Sequence, residues 1–198
     1  IWVAPIDPGG SLGAFTTSST ALPSPGYGHS SVVARGRLYA LGLGASGREV
    51  WFAPLNGDGS LGAFTATAML PSNRQYHRTA VWGGHLYVVG GYDPGTMAAL
   101  NQVLVASINA DGSLGAFAAT TSFPNNRFAP SAEAYNGFLY VVGGSEPSFP
   151  AGVTPQRADV HFAPINGDGT LGSFVATTSL PAARYRHASL AWNGQLYV

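Results

Sequence analysis

Nine residues recur four times in this chain with little change. They read "DPGGSLGAF" at 7–15, "NGDGSLGAF" at 56–64, "NADGSLGAF" at 109–117 and "NGDGTLGSF" at 166–174. The closing aromatics Phe15, Phe64, Phe117 and Phe174 are spaced by 49, 53 and 57 residues. A second element keeps step with the first: "RLYALG", "HLYVVGG", "FLYVVGG" and the terminal "QLYV", carrying Tyr39, Tyr87, Tyr140 and Tyr197. A period of about 50 residues restricts the fold to an array of one supersecondary unit, each covering its neighbour's apolar face. The units run approximately over 1–24, 25–72, 73–125, 126–182 and 183–198 of a single domain, the first and last being halves.

Each full unit reads as four short strands. The first runs through "HSSVVA", "HRTAVW", "PSAEAY" or "HASLAW" and ends at a two-residue turn, "RG", "GG" or "NG", before "LYVVGG". Asn-Gly and Gly-Gly between apolar runs mark a tight hairpin, because both turn positions take positive φ. The third strand is "IWVA", "VWFA", "VLVA" or "VHFA", β-branched and aromatic. The nine-residue motif follows, then a fourth strand such as "AFTATAM", stopped by Pro23, Pro71, Pro124 or Pro181. Helical periodicity with caps is missing throughout. The expected fold class is all-β, a β-propeller of four-stranded antiparallel blades.

These residues resemble the kelch repeat. The likeness rests on the di-glycines Gly90–Gly91 and Gly143–Gly144, the Tyr three residues before each pair, and the aromatic of the fourth strand. It covers essentially the whole chain, with departures: the aromatic is Phe where the family usually has Trp, the first unit reads "LGLG", and the last stops before its glycines. The sequence opens on a third strand and stops inside a second one. Pairing of the two half-blades would close a four-bladed ring; the alternatives are part of a larger ring or self-association of chains to complete one.

Antiparallel order sorts the loops onto two faces. One face receives the two-residue turns and all four copies of the motif. Aspartate or asparagine with glycine in that motif reads as turn chemistry, with Leu61 and Phe64 anchoring the turn; the distal acid of a calcium loop is missing. The opposite face receives the variable loops "LGASGRE", "YDPGTMAALNQ" and "SEPSFPAGVTPQRAD", together with "PSPGYGH", "PSNRQYH", "PNNRFAP" and "PAARYRH". Variable loops on a rigid scaffold are where binding residues concentrate. Arg74, Arg127 and Arg184 each stand three residues after the proline, Gly26 taking that place in the first unit. Guanidinium groups converging on a channel mouth would favour a carboxylate, a sulfate or an acidic peptide. The family resemblance implies the same placement, with an aromatic after the di-glycine contributing, here Tyr92. The candidate ligand-binding set is Arg74, Arg127, Arg184, Tyr92, Tyr76 and Tyr185.

His29, His77 and His187 share one position, but Pro130 fills the fourth place and no acid backs them, so a repeated hydrogen bond is expected in preference to a metal site. Trp82, Tyr135 and Trp192 are expected to pack between blades. With no cysteine, thiolate metal sites and disulfides are excluded. Net charge is zero and lysine is absent, which gives nucleic acid and anionic membrane surfaces no basic patch. No apolar run reaches membrane-spanning length. No paired acids, nucleophile motif or nucleotide fingerprint stands among the variable loops, and no cofactor is expected. The expected function is a non-catalytic binding or adhesion module, extracellular or at the cell surface, engaging a protein or glycan, an acidic one in particular. The alternative is a structural repeat module of a larger surface protein or oligomer, and behind both stands a propeller enzyme acting on sugars.

Overall fold

The computed structural model describes residues 1–146 and 155–198. Its described elements are all strands. An N-terminal pair, β1 (Trp2–Val3) and β2 (Thr16–Thr17), precedes a first full sheet of β3 (Ser30–Ala34), β4 (Arg37–Leu43), β5 (Glu49–Pro54) and β6 (Thr65–Ala66). The second sheet comprises β7 (Arg78–Trp82), β8 (His85–Val89), β11 (Val103–Ser107) and β12 (Ala118–Ala119), with a small hairpin of β9 (Tyr92–Asp93) and β10 (Ala98–Ala99) inserted. The third holds β13 (Ser131–Tyr135), β14 (Phe138–Val142), β15 (Val160–Pro164) and β16 (Val175–Thr177), and a pair β17 (Leu190–Trp192) and β18 (Gln195–Tyr197) follows. Every pairing is antiparallel, and the full sheets run in the order expected of propeller blades.

The hairpin turns adopt the predicted geometry. Arg35–Gly36, Gly83–Gly84, Asn136–Gly137 and Asn193–Gly194 all take positive φ at both positions. Outermost strands are shorter than the sequence suggests, two or three paired residues each, because a proline soon ends them and their free edge gains nothing from length. Individual bonds continue past them, from Thr67 N to Val50 O at 3.0 Å and from Leu70 N to Arg48 O at 2.9 Å.

Blades stack face to face, so the second strand is buried on both sides. Along β8, Leu86 and Val88 join Tyr39, Leu41, Val50 and Phe52 of the first blade, while Tyr87 and Val89 join Leu139, Val141 and Ala163 of the third. The alternation of a strand thus supplies two cores at once. Two polar contacts fix the spacing: the Tyr39 hydroxyl donates to Gly112 O at 2.9 Å, and the Tyr87 hydroxyl to Gly169 O at 2.9 Å, each reaching the nine-residue motif of the next blade. Threonines answer from the outer strand, Leu114 N donating to Thr67 Oγ1 at 2.7 Å and Leu171 N to Thr120 Oγ1 at 2.8 Å.

The terminal pairs β1–β2 and β17–β18 remain separate two-stranded sheets and do not pair with each other. Trp2, Ile6, Leu12, Phe15, Leu190, Trp192 and Tyr197 are exposed on them. The closed four-bladed ring allowed by the sequence is therefore not formed within this structure.

Candidate functional site

The loops entering the innermost strands are tied to one another by backbone. In each, the residue before the shared histidine or proline position takes positive φ: Gly28 at 65°, Tyr76 at 54°, Ala129 at 48° and Arg186 at 56°. Tyr76 N donates to Gly28 O at 2.7 Å, Ala129 N to Tyr76 O at 3.1 Å, and Arg186 N to Ala129 O at 3.0 Å. Three non-glycine residues in the left-handed region store strain, which the stitching overcomes. The result is a rim of fixed backbone around the innermost strands, from which variable side chains project.

The di-glycine belongs to the same device. Gly91 N donates to Arg127 O at 2.7 Å and Gly144 N to Arg184 O at 2.9 Å, so each pair receives the next blade's loop. A β-carbon on Gly90 would lie 2.8 Å from Arg127 O, and one on Gly143 would lie 2.7 Å from Arg184 O. Only glycine permits that approach. The first unit departs in two linked ways: Leu43 replaces the second glycine, and its side chain fills the space a β-carbon on Gly26 would need, 2.5 Å away. Gly26 and Leu43 exchange with Arg74 and Gly91, whose β-carbon would lie 3.1 Å from the Arg74 side chain.

Two of the three predicted mouth arginines are turned into the protein, each 0 % exposed. Arg74 donates to Gly90 O at 2.8 Å, to Gln102 O at 3.2 Å and to Gln102 Oε1 at 2.5 Å, holding the second and third strands of its own blade together. Burial lowers its pKa to about 10, still far above neutrality. Arg127 pairs with Asp159 and, at 3.4 Å, with Glu146, and lies 4.9 Å from the centre of the Phe123 ring. Arg157 joins the same acids at 3.1 and 3.8 Å, so Glu146 neutralises guanidinium groups and is not spare rim charge. Arg184 is half-buried, and its Nε has no hydrogen-bond partner among the described residues.

No group of three or more histidine, aspartate or glutamate side chains placed to hold a metal ion occurs among the described residues. His187 Nε2 lies 2.9 Å from Ser131 Oγ on the preceding blade, but the expected repetition of that bond is not found at His29 or His77. His29 Nδ1 reaches Gly26 O at 3.2 Å. His77 is fully buried, and burial lowers its pKa to about 3. Tyr135 contacts the next unit as expected, its hydroxyl accepting from Gly194 N at 2.8 Å.

The predicted tyrosines do come together. Tyr76 packs on Phe128 with ring centres 4.5 Å apart, Tyr92 meets Phe128 edge-on at 6.1 Å, and Tyr185 lies 6.3 Å away. Tyr92 is held by backbone bonds in both directions with Gln75, at 2.8 and 2.9 Å, and by β10. Tyr27, which is exposed, stands edge-on to Tyr76 at 5.4 Å. Burial first, and then Tyr27 beside it, pushes the Tyr76 phenol up to about 12. Arg186 places its guanidinium 5.0 Å from the Tyr76 ring and 5.5 Å from those of Phe128 and Tyr185. Beside Tyr27 and Gln75 opens a cavity of about 320 Å³, walled by Gly26, Gly44 and Gly47.

Arg186 escaped the sequence reading because it does not repeat, whereas Tyr27 and Phe128 share one loop position with Tyr185 and were passed over for the arginines at 74, 127 and 184 beside them. The available signal was the loop position before the shared histidine, where Gly, Tyr, Ala and Arg alternate. Most of the proline-rich segment expected on this face, residues 147–154, lies outside the described residues.

No family model matches the sequence, and no curated protein matches it. Among 170 matching chains of solved structures is that of YjhT, 12% identical, with a TM-score of 0.71. The match covers 98% of this chain and 71% of that one. At that identity the likeness shows the fold alone, an all-β, β-propeller-like one.

Proposed function

We propose that this chain is a non-catalytic binding module, working outside the cytosol, which takes a protein or glycan ligand on the face carrying the variable loops. One observation carries the reading: four blade-linking loops, joined by a chain of backbone bonds, present Tyr27, Tyr76 and Tyr185 around the buried Phe128, with a guanidinium stacked over Tyr76 and Tyr185. Rigid aromatic rings offer contact area at little entropic cost, and a stacked Arg adds attraction for an anionic group. Arg186, exposed among these rings, supplies the cation first assigned to Arg74 and Arg127. Those two support the surface from below. The adjoining cavity of about 320 Å³ can accept a side chain or a sugar ring.

The test is binding of the intact chain to arrays of glycans and of acidic peptides, followed by Tyr76→Ala and Arg186→Ala on any hit. Each variant is expected to weaken binding by roughly tenfold or more. Unchanged affinity in both would remove the site.

A structural role in a larger surface assembly is favoured by a different observation, the exposed apolar residues of the two terminal pairs. Light scattering separates the readings. A concentration-dependent assembly without ligand supports the second.

A further inference from the structure

A second polar site lies among the innermost strands, separate from the aromatic rim. β3, β7 and β13, with Ser189 ahead of β17, enclose a cavity of about 260 Å³. Hydroxyls dominate its wall: Ser30, Thr79, Ser131 and Ser189. Ser30 is only 8 % exposed, and its Oγ is buried without a hydrogen-bond partner among the described residues. A buried hydroxyl left unsatisfied beside a cavity is costly unless something in the cavity bonds it.

Two charged side chains of opposite sign also line the space, and they are not paired with each other. Arg78 donates to His77 O at 3.2 Å and has no carboxylate partner among the described residues. Four of its five N–H donors are left for other acceptors. Burial lowers its pKa, so a counter-anion would be welcome there. Glu133 accepts from Ser189 Oγ at 2.9 Å and from the Ala191 backbone, while burial raises its pKa. Its lone pairs exceed those contacts.

We propose that this channel binds a small carboxylic acid bearing a hydroxyl or amino group, its carboxylate on Arg78 and its donor on Glu133. The guanidinium fork matches a carboxylate in two parallel bonds. The donor requirement follows from Glu133, which would repel a ligand that was anionic throughout. Size sets the class: about 260 Å³ is below the roughly 300–1,000 Å³ of drug-sized sites. Ser30 Oγ, in the same wall, gains a partner from the bound acid.

The experiment is a titration of the isotopically labelled intact chain with glycerate, followed through the Arg78 Nε–H resonance, identified by its loss in Arg78→Gln. Glycerol and propionate serve as comparators, one lacking the carboxylate and the other the hydroxyls. Saturable glycerate binding is expected, with propionate weaker and glycerol inert. In Arg78→Gln, whose amide spectrum reports whether the fold survives, glycerate affinity read from the remaining channel amides falls by roughly tenfold or more. Arg78→Lys, which keeps the charge, serves if that variant does not fold and is expected to weaken glycerate less. In Glu133→Ala the preference for glycerate over propionate disappears. Tyr76→Ala, at the rim, leaves the titration unchanged, so loss of rim binding and loss of this site are told apart. No saturable glycerate shift, an equal response to glycerol, or unchanged affinity in both Arg78 variants would overturn the proposal, as would abolition by Tyr76→Ala.

Discussion

The same leucine occupies two different worlds in this chain. In the three full blades the leucine of the repeated motif is covered: Leu61 is 7 % exposed, Leu114 5 % and Leu171 4 %. In the N-terminal pair its counterpart Leu12 is 61 % exposed, although "GSLGAF" is letter for letter the same at 10–15 and 59–64. The local turn is unaffected. Asp7 bonds Ser11 N at 3.0 Å, as Asp58 bonds Ser60 N at 2.9 Å, and Gly10 N returns to Asp7 O as Gly59 N does to Asn56 O. Turn chemistry is a property of the nine residues, and burial is a property of the preceding blade. A motif's conformation can be read from its own letters, while its energy depends on what lies across the interface.

The largest expected effect tests that division directly. Leu114→Ala removes a side chain from the cluster joining the first two full blades and is expected to destabilise by about 2–5 kcal/mol in denaturant unfolding. Leu12→Ala, made on identical surroundings in sequence, is expected to cost less than about 0.5 kcal/mol. Equal costs would break the comparison and show that something covers Leu12 in solution. The second effect concerns the glycines. Gly90 takes φ of 59° with Arg127 O 2.8 Å from a β-carbon, whereas Gly36 takes 68° with open space around it. Gly90→Ala is expected to cost about 2–4 kcal/mol and Gly36→Ala only about 1–2 kcal/mol, since backbone strain is common to both and the clash is not.

How much was legible follows from the same distinction. Hairpins, second and third strands and the period were readable because their signals are local: two positive-φ turn residues, β-branched alternation, a repeating length. The hairpin β9–β10 was missed although "DPGT" announces a turn, because its strands pair over only two residues and owe their place to Gln75 and Gly91. The arginine positions were seen, but their direction was not. Whether a guanidinium points outward or back into its blade depended on Gln102 and Asp159, whose nearness is tertiary. At the rim, Arg186 was hidden by searching for what repeats, while Phe128 was legible from the aromatic position it shares with Tyr27 and Tyr185.

Acid should separate the interior from the motif turns in a third way. His77 is held neutral by burial, its pKa lowered from 6.5 to about 3, while the unfolded chain binds a proton below 6.5. Below that value the unfolded state therefore carries more protons, so stability is full above about pH 6.5 and declines as pH falls towards 3. The slope is at most ~1.4 kcal/mol per pH unit for one proton. His161 and His187 are lowered too, by burial first, and add in the same direction. In His77→Gln the decline between neutrality and pH 5 should flatten. The motif aspartates, lowered by their serine or threonine partners, withdraw their contribution only at lower pH, near and below their ordinary 3.8.

The smallest effect asks whether interfaces are equal where the neighbour is incomplete. Tyr39 and Tyr87 are fully buried and reach a carbonyl of the next blade, while Tyr140, at the same position, is half-buried and makes no such bond among the described residues. Tyr140 stacks on Phe162 at 6.0 Å as Tyr39 stacks on Phe52 at 5.9 Å, whereas Tyr87 stands opposite Val105. Tyr87→Phe deletes one oxygen and leaves Gly169 O without its donor, for an expected cost of about 1 kcal/mol. Tyr140→Phe deletes the same oxygen where no carbonyl waits and should fall within about 0.5 kcal/mol of zero. Denaturant midpoints of the two variants at one protein concentration decide the matter. If Tyr140→Phe matches Tyr87→Phe, the third blade has found a motif to receive its hydroxyl, and the interface left open in this structure is closed in solution.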